Sequence, residues 1–125
     1  MLKETKAFSS FSTNDAVAAR KFYADTLQLS VTEEMGMLHL HLEGAGSILI
    51  YPKPDHVPAA FTVLNFEVTD IKQAVAQLQQ AGIVFEDYPA LHTDADHIMR
   101  SEQMRVAQAW FKDPAGNILS VIETW

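Results

Sequence analysis

An alternating pattern of apolar and polar residues marks the clearest predicted strand. From Met37 to Leu42, leucine alternates with histidine, which is typical of a strand with one buried face. The turn Gly44-Ala45-Gly46 and the apolar run from Ser47 to Tyr51 follow it, and together they predict a β-hairpin. We expect the leucines of this hairpin to face a helix, and His39 and His41 to face away from it.

A helical spacing precedes the hairpin. The alanine-rich stretch from about Asn14 to Thr26 predicts a helix, with Asn14 or Asp15 capping its first free N–H groups. The predicted apolar side of this helix consists of Val17, Phe22 and Leu27. Short strands are predicted on both sides of it, from Lys6 to Ser12 and from Leu29 to Glu34. The unit is therefore a strand, a helix and three strands.

The same unit occurs twice. His41 to Ile50 aligns without a gap with Phe111 to Ser120, because acid, turn, Ala-Gly and Ile-Leu recur in one order. Phe11 to Asp15 likewise aligns with Phe66 to Asp70, and each aspartate opens an alanine-rich stretch. The two Ala-Gly turns are separated by more residues of the chain than the two aspartates are. The second copy therefore contains an insertion, which we place at His92 to Arg105.

A proline-rich stretch separates the two copies. We place module one at about residues 6–52, a linker at about 52–60 and module two at about 61–123, within a single domain of residues 1–125. The elements predicted in module two are a strand at Thr62 to Val68, a helix at Asp70 to Ala81 ended by Gly82, and strands near Ile83 to Asp87, Val106 to Lys112 and Ile118 to Glu123. One module cannot bury both sides of its own sheet, so we expect an α+β fold of tandem βαβββ modules that form a cup.

The composition excludes several classes of function. The chain has 125 residues, of which 48% are hydrophobic, and this suits one soluble globular domain. The absence of cysteine excludes disulfides, thiolate zinc sites and a cysteine nucleophile. A net charge of −7 repels phosphate backbones and anionic lipids, so we expect neither nucleic acid nor a membrane as a partner. Without a candidate membrane span or secretion signal, the expected location is the cytoplasm.

Three stretches of the sequence carry a resemblance to a known family. They are Ala19-Arg20-Lys21-Phe22-Tyr23, Leu27-Gln28-Leu29 and Trp110-Phe111-Lys112-Asp113-Pro114-Ala115-Gly116-Asn117. With the repeated unit, they resemble the vicinal oxygen chelate superfamily, which includes glyoxalase I, bleomycin-resistance proteins and extradiol dioxygenases. The resemblance extends from about Lys6 to Glu123 and implies a cup-shaped, glyoxalase-like fold. One departure is Gln28, where the family usually carries glycine.

The metal ligands that the resemblance implies are missing from this sequence. Metal-dependent members of the superfamily hold a divalent ion in the cup with His or Glu on the first and last strand of each module. Counting along the strands places these positions on Phe8, Ile50, Val63 and Ser120. Phe, Ile and Val offer no lone pair, and a serine hydroxyl is a poor sole ligand. We therefore predict no metal and no other cofactor, which argues against glyoxalase or dioxygenase chemistry and leaves catalytic residues unassigned.

The implied cup is predicted to bind a small apolar or aromatic molecule. Its walls combine apolar side chains with a few polar groups, as small-molecule pockets usually do. The predicted ligand-binding residues are Phe8, Ser10, Ile50, Val63, Asn65, Glu67, Trp110 and Ser120. The alternative is a closed core, or an interaction module that binds a partner subunit through the cup. We also expect a homodimer, because open sheets leave strand edges to protect.

Two groups of residues suggest metal chemistry outside the usual positions. His39 and His41 point the same way from one strand, and with a third ligand they would suit a metal-dependent lyase or dioxygenase. The inserted segment contains His92, Asp94, Asp96 and His97, but without a matched ligand spacing. That segment is either a functional lid or a solvated loop.

Overall fold

The computed structural model describes residues 1–44 and 46–125, and it contains two compact units, Met1–Val57 and Pro58–Trp125. Ala45, which belongs to the predicted hairpin turn, lies outside the described residues. Each unit contains a four-stranded sheet and a helical segment that follows its first strand. The helices in the described part of the chain lack the length and hydrophobicity of a membrane span.

The first unit has the predicted order of one strand, a helix and three strands. Its elements are β1 (Ser10–Thr13), α1 (Ala16–Lys21), a π-helical turn (Phe22–Thr26), β2 (Ser30–Glu34), β3 (Met37–Leu42) and β4 (Gly46–Pro52). The strands lie in the order β1-β4-β3-β2, with β1 parallel to β4 and the other neighbours antiparallel. The hairpin predicted from alternating leucines is therefore confirmed as β3 and β4.

The helical segment begins and ends at residues with clear backbone roles. Asp15 caps α1 as predicted, because its carboxylate accepts a hydrogen bond from the Ala18 N–H at 3.0 Å. After the π-helical turn, Gln28 adopts a φ of +58°, in the left-handed region that favours glycine. This conformation explains why glycine suits the position in the resembling family.

The buried side of the helical segment differs from the predicted one. Ala19 and Tyr23 are the buried residues, and the Tyr23 ring centroid lies 6.3 Å from that of Phe11 on β1. Val17, by contrast, is 82% exposed, so the predicted apolar side of Val17, Phe22 and Leu27 is wrong. Residues five positions apart drift around a helix with 3.6 residues per turn, whereas Ala19 and Tyr23, four apart, stay on one side.

The second unit repeats the arrangement of the first, with a short 3-10 turn between its helix and its second strand. Its elements are β5 (Thr62–Glu67), α2 (Ile71–Gln80), a short 3-10 turn (Pro89–Leu91), β6 (Met99–Ser101), β7 (Val106–Lys112) and β8 (Ile118–Thr124). The strand order β5-β8-β7-β6 matches that of the first sheet, with β5 parallel to β8. Asp70 caps α2 by accepting from the Gln73 N–H at 3.1 Å, and Gly82 follows the helix with a φ of +94°.

The edge strand of this second sheet lies outside its predicted place. The strand predicted near Ile83 to Asp87 is wrong, since in this stretch only Phe85 forms a bridge, to Phe111. The edge strand is instead β6, inside the segment His92 to Arg105 that we expected to be a loop. With only three residues, β6 is too short to show an alternating pattern in the sequence.

Each sheet buries one face against the helix of its own unit. In the first unit the side chains on this face include Phe11, Leu38, Leu40, Ile48 and Ile50. In the second unit they include Ala107, Ala109, Phe111, Leu119 and Val121. The prediction that the leucines of β3 face the helix is therefore confirmed.

We call the opposite face of each sheet its far face. In the first unit the far face carries Ser10, Ser12, Thr32, His39, His41, Leu49 and Tyr51. In the second unit it carries Thr62, Asn65, Glu67, Met99, Gln108, Trp110, Ile118, Ser120 and Ile122. The far faces hold more polar side chains than the helix sides. They therefore offer the hydrogen-bonding groups that could bind a ligand.

Candidate functional site

Ile50 does not lie on the far face, which contradicts its predicted place among the ligand-binding residues. It pairs with Phe11 on β1 and with Leu38 on β3, and its side chain is fully buried on the helix side. The far-face position on β4 is Leu49, which lies beside Ser10 and His39.

A one-residue error in the repeat alignment explains this difference. Leu49 lies between Ser10 and His39 in the first sheet. Ser120 lies in the same way between Asn65 and Trp110 in the second sheet. A shift of one residue along a strand moves a side chain to the opposite face. Leu49, and not Ile50, is therefore the counterpart of Ser120.

Phe8 also lies away from its predicted position. It precedes β1, which begins at Ser10, and it is 71% exposed. Ser10 does lie on the far face, next to Leu49. The regular strand starts four residues later than the predicted start at Lys6, so counting back along it reaches a residue outside the sheet.

The register of β5 shifts at Val63, which the sequence placed on the same face as Asn65 and Glu67. The pairing of β5 with β8 shifts between Thr62 and Leu64, so that Thr62 pairs with Ile118 and Asn65 pairs with Ser120. A bulge breaks the alternation of side chains along a strand. Thr62 therefore takes the far-face position that simple alternation assigned to Val63, whereas the far-face positions predicted for Asn65 and Glu67 hold.

Three neutral polar side chains form a closed hydrogen-bond cluster in the centre of the second far face. The Ser120 hydroxyl, which is fully buried, donates to Asn65 Oδ1 at 2.5 Å. Gln108 Nε2 donates both to Asn65 Oδ1 and to Ser120 Oγ, each at 3.1 Å. The cluster spans β5, β8 and β7, so the sheet itself holds the three residues in place. We call these three residues the amide cluster.

Trp110 covers one side of the amide cluster as part of a fixed aromatic group. Its indole Nε1 donates to Thr62 Oγ1 at 3.1 Å, and its ring meets Tyr88 edge-on with centroids 5.4 Å apart. Trp110 is 7% exposed. Burial, and to a lesser degree the nearby Glu86 carboxylate, raises the pKa of Tyr88 above its usual value, so the phenol stays neutral at physiological pH. Trp110 is therefore a rigid wall of the far face.

The remaining neighbours of the amide cluster are mostly apolar. Met99 and Ile122 both pair with Gln108 and are partly exposed. Glu67 is exposed and pairs with Ile122 at the end of β5. The amide cluster is therefore surrounded by an aromatic wall, two aliphatic side chains and one carboxylate.

Sequence reasoning missed Leu49, Thr62 and Gln108. Gln108 alternates with Trp110 on β7, so the strand period alone would have placed it beside Trp110 on the same face. Nothing in the sequence signals the bulge that brings Thr62 to the indole of Trp110. Leu49 could be placed on the far face only from the register between the strands.

The first far face carries hydroxyl and imidazole groups that bond to one another. Ser12 Oγ lies 2.6 Å from His56 Nδ1, and Thr32 Oγ1 lies 2.8 Å from His41 Nε2. His39 pairs with Leu49 between these two contacts. This face is more polar than its counterpart in the second unit.

The donor set does not fit the divalent ion that the resemblance implies. The last-strand positions on the far faces are Leu49 and Ser120, and the hydroxyl of Ser120 is engaged in the amide cluster. Within residues 1–44 and 46–125, no three His, Asp or Glu side chains are grouped so as to hold a metal ion. His39 and His41 share a face as predicted, but no third ligand joins them in the described part of the chain.

The inserted segment is held by its own side chains. Asp94 Oδ1 accepts from the backbone N–H groups of Asp96 and Ile98 at 2.8 and 3.0 Å. His97 Nδ1 lies 2.8 Å from Asp87 Oδ1. Asp94 and His97 therefore stabilise the turn that leads into β6.

Comparison with known proteins agrees with this fold. The family model described as the Glyoxalase/Bleomycin resistance protein/Dioxygenase superfamily matches residues 8–121. None of the curated proteins compared with this chain matches it significantly.

Several solved structures share the architecture at low sequence identity. The glyoxalase family protein from Enterococcus faecalis has a TM-score of 0.73 and 20% identity, covering 98% of this chain and 100% of that one. TnmS3, an antibiotic binding protein from Streptomyces sp. CB03234, has a TM-score of 0.69 and 21% identity, with 98% of each chain covered. The fosfomycin resistance protein FosX from Listeria monocytogenes has a TM-score of 0.72 and 8% identity, covering 98% and 94%. From the tandem modules and the match over residues 8–121, we conclude that this chain belongs to the glyoxalase/bleomycin resistance protein/dioxygenase superfamily.

Proposed function

We propose that this protein binds a small, neutral, largely apolar or aromatic molecule on its far faces, without a divalent metal ion. The observation that carries the proposal is the character of the far-face positions on the last strands. Leu49 and Ser120 stand there, and neither supplies the carboxylate that a metal site of this family needs. Around Ser120, an indole wall and aliphatic side chains offer the mixed surface of a small-molecule site.

Two structural neighbours support a binding role in general terms. One is named as an antibiotic binding protein and another as a fosfomycin resistance protein. Their identity to this chain is 21% and 8%, so they support only the general statement that proteins of this fold can bind small molecules. The lyase or dioxygenase alternative would depend on His39 and His41, for which the described residues provide no third ligand.

A titration with isoquinoline tests the proposal. Isoquinoline is flat and neutral at pH 7.5, and we expect it to shift the NMR resonances of Leu49, Trp110 or Ile122 in a saturable way. Met35 is 92% exposed and lies in the turn between β2 and β3, outside the far faces, so its methyl resonance serves as an internal control. Uniform shifts that include Met35, or no shift at millimolar isoquinoline, would contradict binding on the far faces.

We further propose that the chain functions as a cytoplasmic homodimer. The edge strands are β1 and β2 in the first sheet and β5 and β6 in the second, and proteins generally pair or cover such edges. Val57 and Phe61 are 80% and 69% exposed, and a second copy would bury such side chains. Light scattering at micromolar concentration should give about twice the chain mass of 13.9 kDa. A mass near 13.9 kDa would refute the dimer.

A further inference from the structure

We propose that Asn65 and Gln108 form a recognition pair for a neutral amide, lactam or imide group, in which one side chain offers a hydrogen-bond donor and the other an acceptor. This inference rests on the proposed function, because it requires a ligand on the far face of the second unit. It adds the chemical class of that ligand.

The hydrogen bonds within the amide cluster leave two of its polar atoms unused. Gln108 Nε2 donates toward both Asn65 Oδ1 and Ser120 Oγ, which lie next to each other on one side of it. The single hydrogen of the Ser120 hydroxyl goes to Asn65 Oδ1. Within residues 1–44 and 46–125, Asn65 Nδ2 and Gln108 Oε1 are then left without a partner. One is a donor and the other is an acceptor.

The result does not depend on how the two side-chain amides are oriented. The nitrogen and oxygen of a carboxamide are hard to distinguish, so both amides can be turned over. Asn65 Nδ2 would then donate to Gln108 and Ser120, and the Ser120 hydroxyl would donate to Gln108. The unused atoms become Asn65 Oδ1 and Gln108 Nε2. In either arrangement, one amide keeps an unused donor nitrogen and the other keeps an unused acceptor oxygen.

The cluster is also placed where a ligand can reach it. Asn65 is exposed and Gln108 is partly exposed, whereas Ser120 is fully buried beneath them. The two amides are joined by a hydrogen bond of 3.1 Å, so their unused atoms are within reach of one small ligand. Ser120 acts as a positioning residue, since its two hydrogen bonds fix the orientation of both amides.

The surroundings select among ligands with a donor and an acceptor side by side. A carboxylic acid is disfavoured, because its ionised form lacks the donor and meets the exposed Glu67 on a chain of net charge −7. A neutral lactam or primary amide keeps both groups at any physiological pH. Met99, Ile122 and Trp110 surround the pair with apolar surface. The favoured ligand is therefore a flat apolar molecule with one amide edge.

Three matched probes test the inference on the intact protein. They are isoquinolin-1(2H)-one, its N-methyl analogue, which lacks the donor, and isoquinoline, which lacks the adjacent donor and acceptor. We expect isoquinolin-1(2H)-one to bind about tenfold more tightly than either of the others, because both of the others lack the N–H donor and leave the acceptor of the recognition pair without a hydrogen bond. It should also shift the side-chain NH₂ resonances of Asn65 and Gln108, which the N-methyl analogue should leave nearly unchanged.

The outcomes separate this inference from the proposed function. Equal affinity for all three probes would support binding on the far face but overturn the recognition pair. Failure of all three probes to bind would overturn both.

A pair of variants provides the matched control. Gln108→Met keeps the length of the side chain and removes the amide, so the tenfold preference for isoquinolin-1(2H)-one should disappear. Gln80→Met makes the same change at an exposed position at the end of α2, and the preference should remain. Should Gln108→Met fail to fold, the NH₂ resonances of the parent protein decide the question. A preference that survives in folded Gln108→Met would overturn the inference.

Discussion

Replacing Tyr23 with alanine is expected to lower the free energy of unfolding by about 3–5 kcal/mol, as other large aromatic truncations in cores do. Tyr23 is fully buried, and its ring lies 5.1 Å from that of Phe22 and 6.3 Å from that of Phe11. Alanine would leave a cavity between the π-helical turn and the first sheet. The thermal midpoint should fall by about 10 °C or more, since each kcal/mol is worth about 3–6 °C in a domain of this size.

Phe8→Ala is the matched control for Tyr23→Ala. Phe8 lies in the same unit and is 71% exposed, so its removal should change the free energy of unfolding by less than about 0.5 kcal/mol. Tyr23→Phe should keep most of the stability, because it keeps the ring. A loss in Tyr23→Ala no larger than that in Phe8→Ala would contradict the packing described here.

Replacing Asp113 with alanine is expected to cost about 3 kcal/mol of unfolding free energy. Asp113 Oδ1 accepts from the backbone N–H groups of Ala115 and Asn117, both at 2.9 Å, and Oδ2 accepts from Asn117 Nδ2 at 3.0 Å. Asp113 is 5% exposed and Asn117 is 2% exposed. Alanine would remove these three hydrogen bonds from a largely buried turn, and removing the acceptor of a buried donor costs about 1–3 kcal/mol. Chemical denaturation should show the loss as a lower midpoint.

Asp96→Ala is the control for Asp113→Ala. Asp96 is exposed, and its side chain is not what stabilises its turn, because the acceptor there is Asp94. Its substitution should change stability by no more than about 0.5 kcal/mol. Asp113→Asn keeps one acceptor oxygen, so its free energy of unfolding should lie between those of Asp113→Ala and the parent protein. Equal stability of Asp113→Ala and the parent protein would refute a structural role for Asp113.

Both residues belong to the stretches that made the family recognisable. Tyr23 ends Ala19-Arg20-Lys21-Phe22-Tyr23, and Asp113 opens the turn between β7 and β8. In the structure these residues pack a helix against a sheet and close a hairpin. They identify the fold without specifying what the protein binds.

Much of the fold could be predicted from local patterns. The alternation at Met37 to Leu42 coincides with β3, and Asp15, one of the two residues predicted to cap α1, does cap it. These signals depend on neighbouring residues in the chain, which a sequence displays directly. The short edge strand β6 gave no such signal, because three residues cannot show a period.

The candidate site was harder to predict because it depends on register. The error at Ile50 came from a slip of one residue between the two copies, and a slip of one residue exchanges the two faces of a strand. The bulge at Val63 depends on pairing with β8, which the sequence of β5 alone does not reveal. Gln108 belongs to the site because three strands bring it to Asn65 and Ser120, a contact across 43 positions of the chain.

The central claim is that the far faces bind a small neutral molecule without a metal ion. The most direct test is a calorimetric titration with isoquinolin-1(2H)-one, performed on protein treated with EDTA and checked by elemental analysis. We predict saturable binding with the same dissociation constant before EDTA treatment, after it, and after addition of nickel or zinc. Binding that is absent in the metal-free protein and returns when the metal is added would contradict the account.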